Sequence, residues 1–212
     1  MRLFKLPDTV LTIKGNAPDF LKGLSSNDVN APLNAFLNQH GRIIATFRQK
    51  KISDDEILIS LPALAVEPCL KHLERYAKLS RARIEPSDQS SFIDLNSAQT
   101  VWTSQASANS ISDAEFTLFR LDHGIPLMGV DYQADEFILN VHEYDYVSYT
   151  KGCYLGQEPV AKVHNRARPS RRLIAAFEDQ CTPEQAAQMT SVVIDPQTKK
   201  RRGFVFVSNK SP

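Results

Sequence analysis

Lys151-Gly152-Cys153-Tyr154-Leu155-Gly156-Gln157-Glu158 places an amine, a thiol, an amide and a carboxylate within eight residues. Its two glycines let backbone approach a ligand without a Cβ in the way. Lys151 stands two residues before Cys153, and a neighbouring cation favours the thiolate, which is the reactive form of the side chain. Gln157 offers donors and an acceptor, and Glu158 a carboxylate. These groups suit a small polar ligand. The plainer alternative is a tight turn around a packing cysteine with a surface Lys-Glu pair. Since most cysteines are packing residues, the residues alone favour that alternative.

The elements that must position this segment are mostly β. Residues 9–14 alternate apolar and polar and predict a strand. Asn16 then predicts a helix N-cap, with Pro18 in the first turn and Phe20, Leu21 and Leu24 on one face. Residues 33–37, 42–51 and 56–61 predict three strands, punctuated by Gln39-His40-Gly41 and Ser53-Asp54-Asp55. Strands this close in sequence pair antiparallel most simply. Residues 62–79 predict a helix with Leu64, Cys69, Leu70, Leu73, Tyr76 and Ala77 on its apolar stripe and Pro68 inside. Residues 81–85 predict a short strand. Residues 97–113 are Ser-rich, and only Val101-Trp102-Thr103 stands out as a strand there. Residues 115–121 fit a strand or a short helix. Residues 173–177 predict a strand, and 192–194 with 203–207 a hairpin. Helices among antiparallel strands give an α+β architecture.

Composition excludes several classes. The chain has 212 residues, 42% hydrophobic and 23% charged, which argues for a folded core and against disorder or a coiled coil. The formal net charge is +1, so nothing draws the whole molecule to nucleic acid or membrane, and direct nucleic-acid binding is not expected. No apolar run reaches the ~18 residues of a membrane span, and the first residues do not resemble a signal peptide. Three well-separated cysteines, Cys69, Cys153 and Cys181, disfavour disulfides and suit a reducing, cytoplasmic setting. Cys69 reads as core and Cys181 as an incidental loop thiol. No phosphate-binding Gly-rich loop, nucleophile elbow, Cys-x-x-Cys or His-Glu-x-x-His is present, and no metal site is expected. Arg166, Arg168, Arg171 and Arg172 read as a solvated basic face that could instead attract a polyglutamate tail or phosphate. Lys199-Lys200-Arg201-Arg202 reads as a charged hairpin tip.

The segment 151–158 resembles the signature Lys-Gly-Cys-Tyr/Phe-x-Gly-Gln-Glu of the YgfZ-type folate-binding proteins, relatives of the glycine-cleavage aminomethyltransferase. Three further stretches resemble that family in the same order. They are Gly15 to Gly23 followed by Ser26-Asn27-Asp28-Val29, then Gly41-Arg42-Ile43, then Arg120-Leu121-Asp122-His123-Gly124-Ile125-Pro126. The resemblance runs from about residue 10 to about residue 178. The resemblance implies the aminomethyltransferase-like folate-binding fold. In it, two interleaved α+β subdomains (1–165) carry antiparallel sheets with helices. A reduced, truncated C-terminal β subdomain or barrel (166–212) follows. It also implies tetrahydrofolate or a derivative as cofactor, and iron–sulfur client enzymes or assembly factors as partners, with a link to tRNA modification.

Residue by residue, the resemblance implies Cys153 as a reactive or transiently ligating thiol with Lys151 beside it. Asp28, Asn27, Arg120, Gln157, Glu158 and Tyr154 are the expected folate contacts. Asp28 would pair with pterin amino groups and Arg120 would fork onto a glutamate tail. Two departures stand out. The transferases place catalytic acids where this chain has Ala45 and Thr46, and neither can act as a general acid. The family's Pro-x-Glu is Leu139-Asn140-Val141 here, with Glu136 and Glu143 the nearest carboxylates. The expected function is therefore a folate-binding factor for iron–sulfur proteins and not a glycine-cleavage enzyme. A folate-dependent one-carbon transferase using Asp28 and a ligand-free interaction module are the alternatives. The decisive expectation is an ionisable sulfur beside a pterin pocket.

Overall fold

The computed structural model describes residues 2–105, 111–142, 145–166 and 168–209. Its strands are β1 (Leu3–Lys5), β2 (Asp8–Lys14), β3 (Leu33–Leu37), β4 (Ile43–Lys51), β5 (Glu56–Pro62), β6 (Arg83–Pro86), β7 (Ser90–Asp94), β8 (Thr100–Thr103), β9 (Arg171–Phe177), β10 (Thr190–Ile194) and β11 (Arg201–Ser208). Its helices are α1 (Ala17–Leu24), α2 (Ala63–Ser80), α3 (Asp113–His123), α4 (Ile138–Val141), α5 (Gln157–Arg166) and α6 (Pro183–Ala187).

The main sheet runs β3-β4-β5-β2-β6 and every pairing is antiparallel. β4 alternates faces, as a pleated strand must. Ala45 and Phe47 turn into the main core, where Phe47 stacks on Phe36 at 4.5 Å. Thr46 and Arg48 turn to the other side and line a small internal cavity. β2 also differs from the half-exposed strand its alternation predicts. Val10, Leu11, Thr12 and Ile13 are all buried, because a second sheet covers the face that would otherwise meet water.

That second sheet, β1-β7-β8, interleaves with the first along the chain, since β1 precedes β2 but pairs with β7. β1 and β7 carry no strong sequence signal and were not anticipated. Their core is small: Phe4, Leu6 and Ile93 pack on Phe116 and Phe119 of α3. α3 resolves the strand-or-helix ambiguity as a helix. Ser112 caps it by accepting from the Glu115 N–H at 3.2 Å, and Gly124 closes it at φ 61°.

Two helix expectations need correction. Asn16 occupies the N-cap position of α1, but at φ 53° its side chain makes no capping bond. In α2 the expected Cys69 and Leu73 are buried, with Tyr76 and Ala77 packed on the core, but Ala65 takes the place of Leu64, which is 54% exposed, and Leu70 is 38% exposed. Residues spaced by four form the tighter ridge, and smaller Ala65 brings the helix closer to the sheet.

The C-terminal strands form a third antiparallel sheet, β10-β11-β9, with no closed barrel among the described residues. A buried ion pair ties it to the body. Arg120 Nη1 donates to Asp131 Oδ2 at 2.6 Å, and Thr190 and Ser191 of β10 donate to Asp131 Oδ1 at 2.8 and 2.5 Å.

Candidate functional site

The signature loop runs from Lys151 into the first turn of α5. Lys151 does not serve Cys153 as its position in sequence suggests. Its ammonium donates to the carbonyls of Ser25 and Asn27 at 2.7 and 2.8 Å and sits 5.3 Å from the Tyr154 ring centre. Burial pushes its pKa down to about 8, with Asp28 opposing that and Lys22 reinforcing it. Tyr154 is buried, and the Leu155 N–H donates to the Gly23 carbonyl at 3.1 Å. Gly156 has φ +84°, and a Cβ there would lie 2.4 Å from the Asn38 carbonyl oxygen. Most of the signature is thus loop architecture that seats α5 against the β3–β4 turn. Gln157 and Glu158 open α5, with Glu158 exposed. Cys153 is exposed, as the expectation requires. Among the described residues it lines none of the three cavities below, so the expected pterin pocket beside the sulfur is not among them.

The buried polar chemistry lies elsewhere. The internal cavity, about 30 Å³, is walled by Asp8, Thr46, Arg48, Ser60, Met128, Tyr132 and Tyr146, among others. Thr46, in the place of a transferase acid, shares a 2.7 Å hydrogen bond with the Tyr132 hydroxyl, which lies 2.9 Å from His142 Nε2. His142 stacks on Tyr146 with ring centres 3.9 Å apart. Burial and the charge of Arg48 drive the His142 pKa down to about 3, so the ring is neutral. Burial raises the carboxyl of Asp8 against the opposing Ser60 hydrogen bond and the Arg48 charge. Arg48 is itself only 8% exposed, yet forms no ion pair among the described residues. Among the described residues its side chain makes one hydrogen bond, a 3.4 Å contact to Thr100 Oγ1.

Arg48 also lines a groove of about 610 Å³ between β3–β4 and β8, with Pro32, Leu33, Lys50, Val101 and Trp102. A third cavity, about 700 Å³, lies between the β3–β4 turn, α4 and the segment leading into β9. It is lined by His40, Arg42, Glu136, Phe137, Asn140, Arg168 and Arg171 among others.

The residues expected to contact folate divide sharply. Asn27 is structural. Its amide donates to the carbonyls of Leu33 and Asp145, and its N–H to Asn34 Oδ1. Asp28 closes a local turn by accepting from Asn30, and lines none of the three cavities. Arg120 is 3% exposed and committed to Asp131, so the fork expected for a glutamate tail is spent inside the protein. Glu136 is held by Arg171 and Asn140 in the third cavity, and Glu143 lies outside the described residues. Asp8, Arg48, Tyr132, His142 and Tyr146 were missed. One signal could have found Arg48: alternation along 42–51 puts it in register with Thr46, inside a strand whose neighbours are apolar.

No known family profile matches the chain. It is 31% identical over 94 residues to the mitochondrial iron-sulfur cluster assembly factor IBA57 homolog of Dictyostelium discoideum. That alignment covers 43% of this chain and 23% of that protein. It is 21% identical over 208 residues to the tRNA-modifying protein YgfZ of Colwellia psychrerythraea, covering 73% and 64% respectively. The chain therefore spans less than two thirds of the length of either relative. In structure it matches the glycine cleavage system aminomethyltransferase T of Bartonella henselae, with TM-score 0.69 and 12% identity over 97% of this chain and 78% of that one. The fold is thus the aminomethyltransferase-like one. In sequence the chain is thus similar to an IBA57 homolog and to a YgfZ protein, and in fold to the aminomethyltransferase.

Proposed function

We propose that this protein binds a reduced folate, tetrahydrofolate or a derivative, and supports the assembly or repair of iron–sulfur proteins, with a link to tRNA modification. It does not run the glycine-cleavage reaction, because Ala45 and Thr46 offer no acid at the position the transferases use. The observation that carries the ligand half is Arg48. A guanidinium nine-tenths buried with no ion pair among the described residues is costly. It faces a groove whose 610 Å³ falls within the roughly 300–1,000 Å³ of small-molecule sites. The 30 Å³ internal cavity has room for about a water-sized guest. A ligand that joins flat rings to carboxylates suits this groove. Its rings would lie on Trp102, Leu33 and Val101, and its carboxylates would take Arg48 and Lys50.

The iron–sulfur half rests on the name of the IBA57 relative and on Cys153, and the tRNA link on the name of the YgfZ relative. The thiol is exposed, while Lys151, Tyr154 and Gly156 are engaged in holding the loop. Cys69 is buried, with burial pushing its pKa up to about 12. One chain cannot hold a cluster with so few thiolates, so Cys153 acts transiently, facing an iron–sulfur client or assembly factor in a reducing, cytoplasmic setting.

Trp102 is the only tryptophan, so its emission reports on the groove directly. Titration with tetrahydrofolate is expected to change that emission saturably, and Arg48→Met to weaken binding at least tenfold. No response up to millimolar ligand overturns the folate reading. Cys153→Ala is expected to abolish complementation of iron–sulfur enzyme activity while leaving folate binding intact. A silent Cys153→Ala favours the ligand-free interaction module instead.

One observation favours a second reading, one-carbon transfer. Asp8 is an acid in the internal cavity whose burial holds its proton to higher pH, as a general acid needs. Turnover of a formyl- or methylene-folate that is lost in Asp8→Asn would establish it.

A further inference from the structure

The third cavity shares no lining residue with the folate groove or the internal cavity. Its wall carries three guanidiniums, Arg42, Arg168 and Arg171, and one carboxylate, Glu136. Two of the three are held in position. Arg171 pairs with Glu136 and lies over the Phe206 ring at 4.2 Å, and Arg42 donates to the Asp135 carbonyl at 2.7 Å. Both remain about half exposed, so each keeps donors free for a guest. Arg168 makes no side-chain hydrogen bond or ion pair among the described residues, and the segment that carries it is pinned where Asn209 donates to the carbonyls of Pro169 and Ser170. Phe137 adds an aromatic ring to the same wall, and His40 a further nitrogen donor.

Positioned guanidiniums match the fork geometry of phosphate oxygens, and a ring nearby can stack on a base. We propose that this groove is a nucleotide-phosphate site, with Arg42 and Arg168 taking the phosphate and Phe137 the base. Its place is consistent with a role beside the signature loop. Gly41, between His40 and Arg42, sits so close to α5 that a Cβ there would meet Val160 at 3.0 Å and Pro159 at 3.3 Å, and to the start of α4 that it would meet Phe137 at 2.9 Å. A phosphate held at this turn therefore touches the element that seats the helix after Cys153.

The phosphate could belong to a free nucleotide or to a nucleic-acid strand, and the test separates them. Calorimetric titrations of the full chain with inorganic phosphate, AMP and a single-stranded RNA hexamer are compared at low and moderate salt. AMP is expected to bind, phosphate to compete with it more weakly, and the double variant Arg42→Ala/Arg168→Ala to lose at least tenfold in affinity. Both side chains are exposed, so the fold should survive, and circular dichroism checks that. The control variant Lys199→Ala/Lys200→Ala removes two cations elsewhere and is expected to leave binding unchanged. A hexamer that binds tenfold tighter than AMP assigns the site to a strand, and equal affinities assign it to a free nucleotide. The proposal is overturned if no probe binds at millimolar concentration, if the double variant binds as well as wild type, or if the control loses as much as the double variant.

Discussion

The ammonium of Lys151 lies 2.7 Å from the carbonyl oxygen of Ser25, at the other end of the chain's first helix-and-turn unit. A lysine two residues before Cys153 is therefore spent on crosslinking two loops. Replacing it by methionine, which keeps the stem but no donor, is expected to cost about 2 kcal/mol through two lost charge-assisted bonds. The pH dependence has a definite sign. With a folded pKa near 8 against 10.5 unfolded, the folded chain releases this proton first. The contribution to stability then rises as pH climbs from about 8 towards 10.5, because the unfolded state binds more protons in that window. The neutral amine still has two hydrogens for its two carbonyls. Denaturant titrations at pH 7.5 and 9.5 should show this rise in wild type and its absence in Lys151→Met.

His142 gives the opposite end of the pH scale. Its folded pKa of about 3 lies below the ordinary 6.5, so it is neutral in the fold and protonated in the unfolded chain across that interval. Stability from this residue is complete above pH 6.5 and lost as pH falls towards 3, at up to about 1.4 kcal/mol per pH unit. Asp8, whose carboxyl burial holds above its ordinary range, works in the other direction, because the folded form keeps that proton to higher pH than the unfolded chain. Thermal melts of wild type and His142→Gln between pH 7 and 4.5 should show a shallower acid slope in the variant.

Gly156→Ala tests whether the glycine of the signature is structural. The left-handed φ costs about 1–3 kcal/mol for a residue with a side chain, and the Cβ collides with rigid backbone at Asn38. A fall of about 2 kcal/mol or more is expected from the denaturation midpoint. By contrast Gly152→Ala meets nothing closer than the Lys22 side chain at 4.0 Å and should stay within about 0.5 kcal/mol of wild type.

Arg120→Met leaves Asp131 buried and charged without its partner. Removal of one member of such a pair costs about 3–5 kcal/mol. Because Asp131 also accepts from Thr190 and Ser191, loosening of the C-terminal sheet should appear first, as faster hydrogen exchange in β10 and β11. Folate affinity per folded molecule should be unchanged, which separates a structural arginine from a ligand-binding one.

Much of this was legible before any coordinates. The periods of residues 33–61 determine three antiparallel strands, since side-chain alternation and turn residues are local properties of the chain. The C-terminal hairpin and the long helix follow for the same reason. The signature around Cys153 marks the loop whose sulfur the fold leaves exposed. What the local pattern could not carry was the destination of each charge. Lys151 and Ser25 are 126 positions apart, and Arg120 meets β10 71 positions on. Whether an arginine ends against an aspartate, as Arg120 does, or lines a cavity with no ion pair among the described residues, as Arg48 does, depends on which chain segments cross. Residue types and spacing determined most of the elements, though not β1 or β7, and marked Cys153 without deciding its exposure. Only tertiary packing decided which cations are already satisfied, because satisfaction is a matter of distance in space and not along the chain.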